Sequence, residues 1–172
     1  EYKANREATP EAIKIAVPYI HKILEAMNIP IIEVQGIEAD DLIGIAATED
    51  TDTIIVSEDK DFLCVPCRLY NPRRKDRGVI TVSLESADRY FYSQVLTGDT
   101  ADNYKGCPSV GPVKADKILD AAESDYWPAV VTAFQKAGLT VDDALVQARC
   151  ARILRVGDLI PDQEEPPLWT PP

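Results

Sequence analysis

The sequence predicts an α/β fold, a central parallel sheet flanked by helices and followed by an all-helical region. Three observations carry that prediction. Two short apolar runs, Ile31–Val34 and the β-branched Thr53–Ser57, bracket a helical pattern, and strand, helix, strand over so few residues makes a right-handed parallel unit. From about residue 83 onward the apolar spacing is mostly helical. Acidic residues follow directly after both expected strands, at the carboxyl edge where open α/β sheets collect ligands.

The elements follow in order. Thr9-Pro10-Glu11 reads as N-cap, N1 proline and first-turn acid. A helix to about Met27 carries Ile13, Val17, Ile20 and Leu24 on one face, and Asn28 ends it. The run Ile31–Val34 is short enough to be a buried strand. A helix over 38–48 and a turn at Asp50-Thr51-Asp52 lead into the buried strand at Thr53–Ser57. Phe62–Val65 forms a short helix. Arg68–Tyr70 and Val79–Val82 form edge strands around a basic loop, Asn71 to Gly78, which is either a solvated tip or a phosphate contact. Ser83 or Ser86 caps a helix through Tyr92, Val95 and Leu96, closed by Gly98. Trp127, Val130, Val131 and Phe134 make one helical face. Thr140 opens a last helix to about Val156, with Arg149, Arg152 and Arg155 on a solvated stripe. The tail 163–172 is proline-rich, with Trp169 available to pack back. A division into residues 1–94 and 95–172 is expected.

Composition is that of a globular chain, with no apolar run long enough to span a membrane and no signal-peptide pattern. The net charge of −11 argues against a uniformly basic nucleic-acid binder. Its distribution argues otherwise. Seven acids cluster as Glu38, Asp40 and Asp41, as Asp59 and Asp61, and as Asp99 and Asp102. Lys and Arg gather elsewhere: Lys3 with Arg6, Arg73 to Arg77, Lys105 to Lys117, and Arg149 to Arg155. An acidic pocket rimmed by basic patches suits a metal-dependent enzyme acting on a polyanion.

Glu38 and Asp41 are three apart at a helix start and share a face. Acids in a first turn also serve ordinary capping, so one cluster is weak and three in similar places are strong. Asp99 and Asp102 are likewise three apart. The stretch Gly106-Cys107-Pro108-Ser109-Val110-Gly111 then opens a helix carrying Lys114 and Lys117, and free N–H groups at such a start bind phosphate. The same stretch also reads as a plain helix corner. The four cysteines, Cys64-Val65-Pro66-Cys67 included, read as reduced small hydrophobes, because His21 is the single histidine and no second CxxC completes a zinc site.

Taken together, Tyr2-Lys3-Ala4-Asn5-Arg6, Gly36-Ile37-Glu38-Ala39-Asp40-Asp41, Ser57-Glu58-Asp59-Lys60-Asp61, Gly98-Asp99-Thr100-Ala101-Asp102-Asn103 and Gly106-Cys107-Pro108-Ser109-Val110-Gly111 resemble the 5′ nuclease superfamily. That group includes phage 5′→3′ exonucleases, flap endonucleases and the 5′ nuclease domain of bacterial DNA polymerase I. The resemblance implies a PIN-like α/β domain, then a helix–three-turn–helix (helix–hairpin–helix) DNA-binding region. It implies two Mg²⁺ or Mn²⁺ ions, one served by Glu38, Asp40 and Asp41, the other by Asp59, Asp61, Asp99 and Asp102, some through water. It further implies a scissile-phosphate contact from Lys3 assisted by Arg6, and duplex contacts from Lys105, Gly106, Gly111, Lys114 and Lys117. The family pattern sets a strand with a metal-binding aspartate, and a further aspartate, before the Tyr-Lys-x-x-Arg motif, so a preceding segment is expected.

The residues agree with that chemistry. Seven acids sharing a pocket need cations, oxygen ligands select Mg²⁺ or Mn²⁺, and one histidine leaves no activated Ser or Cys nucleophile. The expected activity is 5′→3′ exonuclease or flap endonuclease cleavage of duplex DNA with a 5′ end or flap, or of an RNA–DNA hybrid. The expected setting is replication, primer removal or recombination, in a monomer in the bacterial cytoplasm, bacterial or phage-encoded. Two alternatives stand beside it, a duplex-binding module without catalysis and a PIN-type RNase.

Overall fold

The computed structural model describes residues 3–4, 7–158 and 168–172 of the chain. Helix α1 (Glu11–Ala26) starts one residue later than expected, with Pro10 rather than Thr9 at its N-cap. The Pro10 carbonyl accepts from the Ile13 amide at 2.9 Å. Asn28, with φ of 55°, closes the segment. The expected apolar face forms but is not covered: no residue of α1 is buried, and Ile13, Val17 and Ile20 are exposed.

The strand expected at Ile31–Val34 does not form; Ile31, Ile32 and Val34 stay exposed in irregular chain. A strand has to pair along an edge, and among the described residues this run pairs with neither β1 nor β3, the two strands that keep an open edge. The parallel unit expected from two strands around a helix is therefore absent. Helix α2 (Ala39–Glu49) does follow, with Glu38 as N-cap and Asp40 and Asp41 in its first turn.

The sheet has the order β1-β2-β3. Strand β1 (Ile54–Val56) is shorter than expected and lies at an edge with only Ile55 buried. It runs parallel to β2 (Cys67–Tyr70), with Ile55 opposite Leu69. Strand β3 (Val79–Val82) returns antiparallel, with Leu69 opposite Ile80. So β2, expected at an edge, is the middle strand. Between β1 and β2 a 3-10 helix, Lys60–Cys64, caps on the Asp59 side chain. In the basic loop Arg73 pairs with Glu58 at 2.7 Å and its amide donates to Asn71 Oδ1 at 2.9 Å. Part of its charge is thereby neutralised locally.

Helix α3 (Leu84–Thr97) is the hub of the packing. Ser83 caps it by accepting from the Ser86 amide, and Gly98, at φ 72°, ends it. Ala87, Phe91, Val95 and Leu96 on α3 are essentially inaccessible. Helices α4 (Pro112–Ala122), α5 (Tyr126–Lys136) and α6 (Val141–Ala151) pack around it. Thr140 and Asp143 form a capping box on α6. The expected division after residue 94 falls inside α3, and one buried cluster runs from Ala47 to Trp169 across it.

Helix α6 stops five residues before the expected Val156, and this changes the fate of its arginines. Arg152 makes two hydrogen bonds to Asp158, at 2.8 and 2.9 Å. Arg155 is buried, donating to Asp88 at 2.7 Å and to the Cys64 carbonyl at 2.6 Å. Arg149 donates to the Trp169 carbonyl at 3.2 Å. Arg152 and Arg155, expected on a solvated helical stripe, lie past the end of α6, which lets each guanidinium reach its own acceptor, while Arg149 stays in the last turn of the helix. Trp169 packs edge-on against Phe91 and Trp127, as expected. The remaining expected tail positions, 163–167, lie outside the described residues. All four cysteines are free thiols. Among the described residues no helix is long and apolar enough to cross a membrane.

Candidate active-site cleft

Five of the seven acids line one cleft of about 130 Å³: Glu38, Asp40, Asp41, Asp61 and Asp102. Helix α2 brings the first three, because its N-terminal turn faces the C-terminal end of α6. Asp41 Oδ1 accepts from the Leu154 amide at 2.8 Å, and Thr48 Oγ1 accepts from the Val156 amide at 2.8 Å. Gly44 makes that approach possible: a Cβ there would stand 2.4 Å from the Leu154 carbonyl oxygen and 2.7 Å from Ile153 Cγ2.

Asp61 enters from the 3-10 helix, fixed by Gln94 of α3, whose Nε2 donates to Asp61 Oδ1 at 2.6 Å. Asp102 enters from the loop after α3. That loop is not the helical turn expected for Asp99 and Asp102; Asp99 and Tyr104 form an antiparallel bridge across it. Two glycines make the bridge close. Gly98 and Gly106 both have positive φ, and a Cβ on either would stand less than 2.7 Å from the other's strand of backbone. Lys3 joins the cleft from the N-terminal side, its amide donating to the Asp102 carbonyl at 2.8 Å and its ammonium pairing with Glu38.

The other two acids stand beside the cleft rather than in it. Asp59 accepts from the Asp61 amide at 2.9 Å and serves as the cap of the 3-10 helix. Asp99 holds Lys60 at 2.7 Å, and Lys60 reaches Asp61 at 3.4 Å. A lysine thus bridges acids that the sequence assigned together. Arg6 lies outside the described residues.

Burial and neighbouring charge shift Asp41, Asp61 and Asp99. Burial raises the Asp41 carboxyl above its ordinary range, and neighbouring Asp40 and Glu38 add to it. Burial likewise raises Asp61, and with the Asp59 charge it outweighs Lys60 and Gln94, which lower it. Burial works against the Asp99 carboxylate too, but hydrogen bonds from Lys60 and Ala101 outweigh it and hold that carboxyl below the usual range. Among the described residues no group of three or more His, Cys, Asp or Glu is arranged to hold a metal ion directly.

The residues expected at duplex DNA fall in two environments. Gly111 caps α4, and Lys114 and Lys117 rise from its first turns into a cavity of about 670 Å³ between α4 and α5, together with Lys136. Lys105 is exposed. Gly106 is buried, and its amide donates to Gln147 Oε1 at 2.7 Å. Its amide is thus already committed within the protein.

Four contributors escaped the sequence reading: Lys60, Gln94, Arg149 and Arg152, the last three lining the cleft. Gln94 carried a legible signal, a polar residue three after Phe91 on the apolar side of α3. Arg149 and Arg152 carried none: Arg152 depends on where α6 ends, and Arg149 on what the helix packs against.

The family described as 5′-3′ exonuclease, N-terminal resolvase-like domain, matches residues 1–84. The chain belongs to the 5′ nuclease superfamily. Among relatives of this superfamily member, DNA polymerase I of Caldicellulosiruptor bescii is 33% identical over 141 residues, covering 72% of this chain and 17% of the polymerase. The exodeoxyribonuclease of Enterobacteria phage T3 is 26% identical over 211 aligned positions, covering 99% of this chain and 67% of the phage protein. The chain thus spans a small part of the polymerase it matches. Among solved structures, the T5 D15 protein co-crystallised with metal ions aligns with a TM-score of 0.61 at 15% identity, covering 86% of this chain and 65% of that one. At that identity the likeness is one of fold.

Proposed function

We propose that this chain hydrolyses DNA phosphodiester bonds at 5′ ends, as a divalent-cation-dependent 5′→3′ exonuclease or flap endonuclease. One observation carries the reading: Glu38, Asp40, Asp41, Asp61 and Asp102, from three separated stretches, line a single cleft. Burial first, and repulsion between neighbouring carboxylates second, make such groups resist ionisation, as the raised Asp41 and Asp61 do. A cation offsets both.

The donor set fits Mg²⁺ or Mn²⁺ in kind, since all five are hard oxygen ligands. It fits in spacing only through water, which suits Mg²⁺, an ion that keeps several waters and uses one or two carboxylates. Glu38, Asp40 and Asp41 would hold one ion, and Asp61 and Asp102 a second. So bound, the ions would activate water and stabilise charge developing on the phosphate. The chain's own groups do the rest. Lys3 offers an ammonium at the cleft rim for the scissile phosphate. Gly111, Lys114 and Lys117 offer amide and ammonium contacts to duplex phosphates, which position a substrate without reading its sequence. A covalent route is disfavoured: His21 lies on α1 beside Glu33, and burial pushes the Cys64 and Cys67 thiols up to about 11.

A second reading, a duplex-binding module without catalysis, is favoured by the lack of a directly ligating group among the described residues. One experiment separates them. Incubation with flapped and 5′-recessed duplexes in Mg²⁺ is expected to release 5′-phosphate products, and Asp61→Asn to reduce turnover to background. Duplex binding with no cleavage in Mg²⁺ or Mn²⁺ would establish the second reading instead.

A further inference from the structure

Gln94 and Arg155 are the two buried polar or charged residues among those described. Arg155 has the Asp88 and Cys64 acceptors, its Nε alone being left without a partner, and it does not line the acid cleft. Gln94 does line it. Only 7% of the residue is exposed, it lies in the last turn of α3 beside Val95 and Leu96, and a leucine there would pack with no polar group to satisfy. Its Nε2 is used on Asp61. Its Oε1 is buried with no hydrogen-bond partner.

The amide cannot turn over to relieve this. With its oxygen facing the Asp61 carboxylate, two acceptors would meet and the donor would be stranded. The orientation is set by Asp61, and it leaves an acceptor at the wall of the acid cleft. Native proteins seldom leave a buried acceptor empty, and each instance calls for an explanation, a bound water or ion among them. Here a bound partner has to be a donor small enough for a cleft of about 130 Å³ walled by carboxylates.

We infer that Gln94 is a positioning residue of the cleft: its N–H group fixes the Asp61 carboxylate, and its carbonyl accepts from the hydration water of a divalent cation. The inference rests on the cation reading above. It accounts for acids that share a cleft without closing on an ion directly, because a hydrated ion reaches them through water and Gln94 anchors that water from the buried side. Groups that hold a metal's ligands in this way commonly change its affinity by about 10- to 100-fold when removed.

The test is Mn²⁺ titration by calorimetry on the chain and on Gln94→Leu and Gln94→Met, with thermal unfolding of all three in EDTA. Both variants are expected to unfold at or above the parent temperature without metal, since a stranded amide is gone, and to bind Mn²⁺ about tenfold more weakly. Parent-like affinity in either variant that folds overturns the inference while leaving the cation reading intact. No Mn²⁺ binding by the parent overturns both. A large fall in unfolding temperature with unchanged affinity makes Gln94 a purely structural residue and also overturns it.

Discussion

Asp41 and Leu154, 113 residues apart, are joined by a hydrogen bond of 2.8 Å from the Leu154 amide to the Asp41 carboxylate. The same side chain lines the acid cleft. The cleft is therefore assembled by the bond that docks the chain end on α2, and fold and site share one carboxylate.

Asp41→Ala removes a charged acceptor from a half-buried amide, and such bonds contribute about 1.5–3 kcal/mol. A loss of that size is expected in urea unfolding. Asp40→Ala is expected to cost less than about 0.5 kcal/mol, the range of ordinary surface changes, because among the described residues Asp40 accepts only from the neighbouring Asp41 amide. Equal losses at the two positions would contradict the docking role.

Gly44→Ala tests the same contact from the other side. The added methyl group meets backbone at 2.4 Å, which cannot rotate away. Overpacking of this kind costs about 1–3 kcal/mol, against the slight gain that alanine brings to an open helix position. Denaturation midpoints of Gly44→Ala and Ala46→Gly, both on α2, are expected to fall for different reasons. Only the first should also weaken Mn²⁺ binding, through the displaced Asp41.

Arg155→Leu breaks a buried pair. Removing one member typically costs about 3–5 kcal/mol, and the lower end, about 3 kcal/mol, is expected because Asp88 keeps some contact with water. A double-mutant cycle with Asp88→Asn measures the coupling. The Arg149 guanidinium, which holds only the Trp169 carbonyl through Nε, is expected to matter less when replaced.

Alkaline pH is expected to unfold the chain through its thiols. Burial pushes Cys64 and Cys67 up to about 11 from an ordinary 9.0. Below pH 9 the thiols are neutral whether the chain is folded or not, so nothing changes. From pH 9 to 11 the unfolded thiols ionise while the folded ones resist, so stability falls across that window. Melting temperature against pH is expected to drop there, and less steeply in Cys64→Ala.

Much of the helical framework was determined by the sequence alone, because a helix satisfies its backbone within a few residues and its caps are local. Ser83 and Gly98 around α3, Thr140 before α6 and Asn28 after α1 are such signals, and family membership followed from motif order. Only the tertiary structure decided the rest. Ile31–Val34 has strand composition but, among the described residues, pairs with no strand. Arg152 and Arg155 left a helical stripe for buried acceptors. Of the seven acids, Glu38, Asp40, Asp41, Asp61 and Asp102 share the cleft, whereas Asp59 became a cap and Asp99 a partner of Lys60. Pairing, ion burial and convergence join residues far apart in the chain, and nothing in local spacing reports which of them will meet.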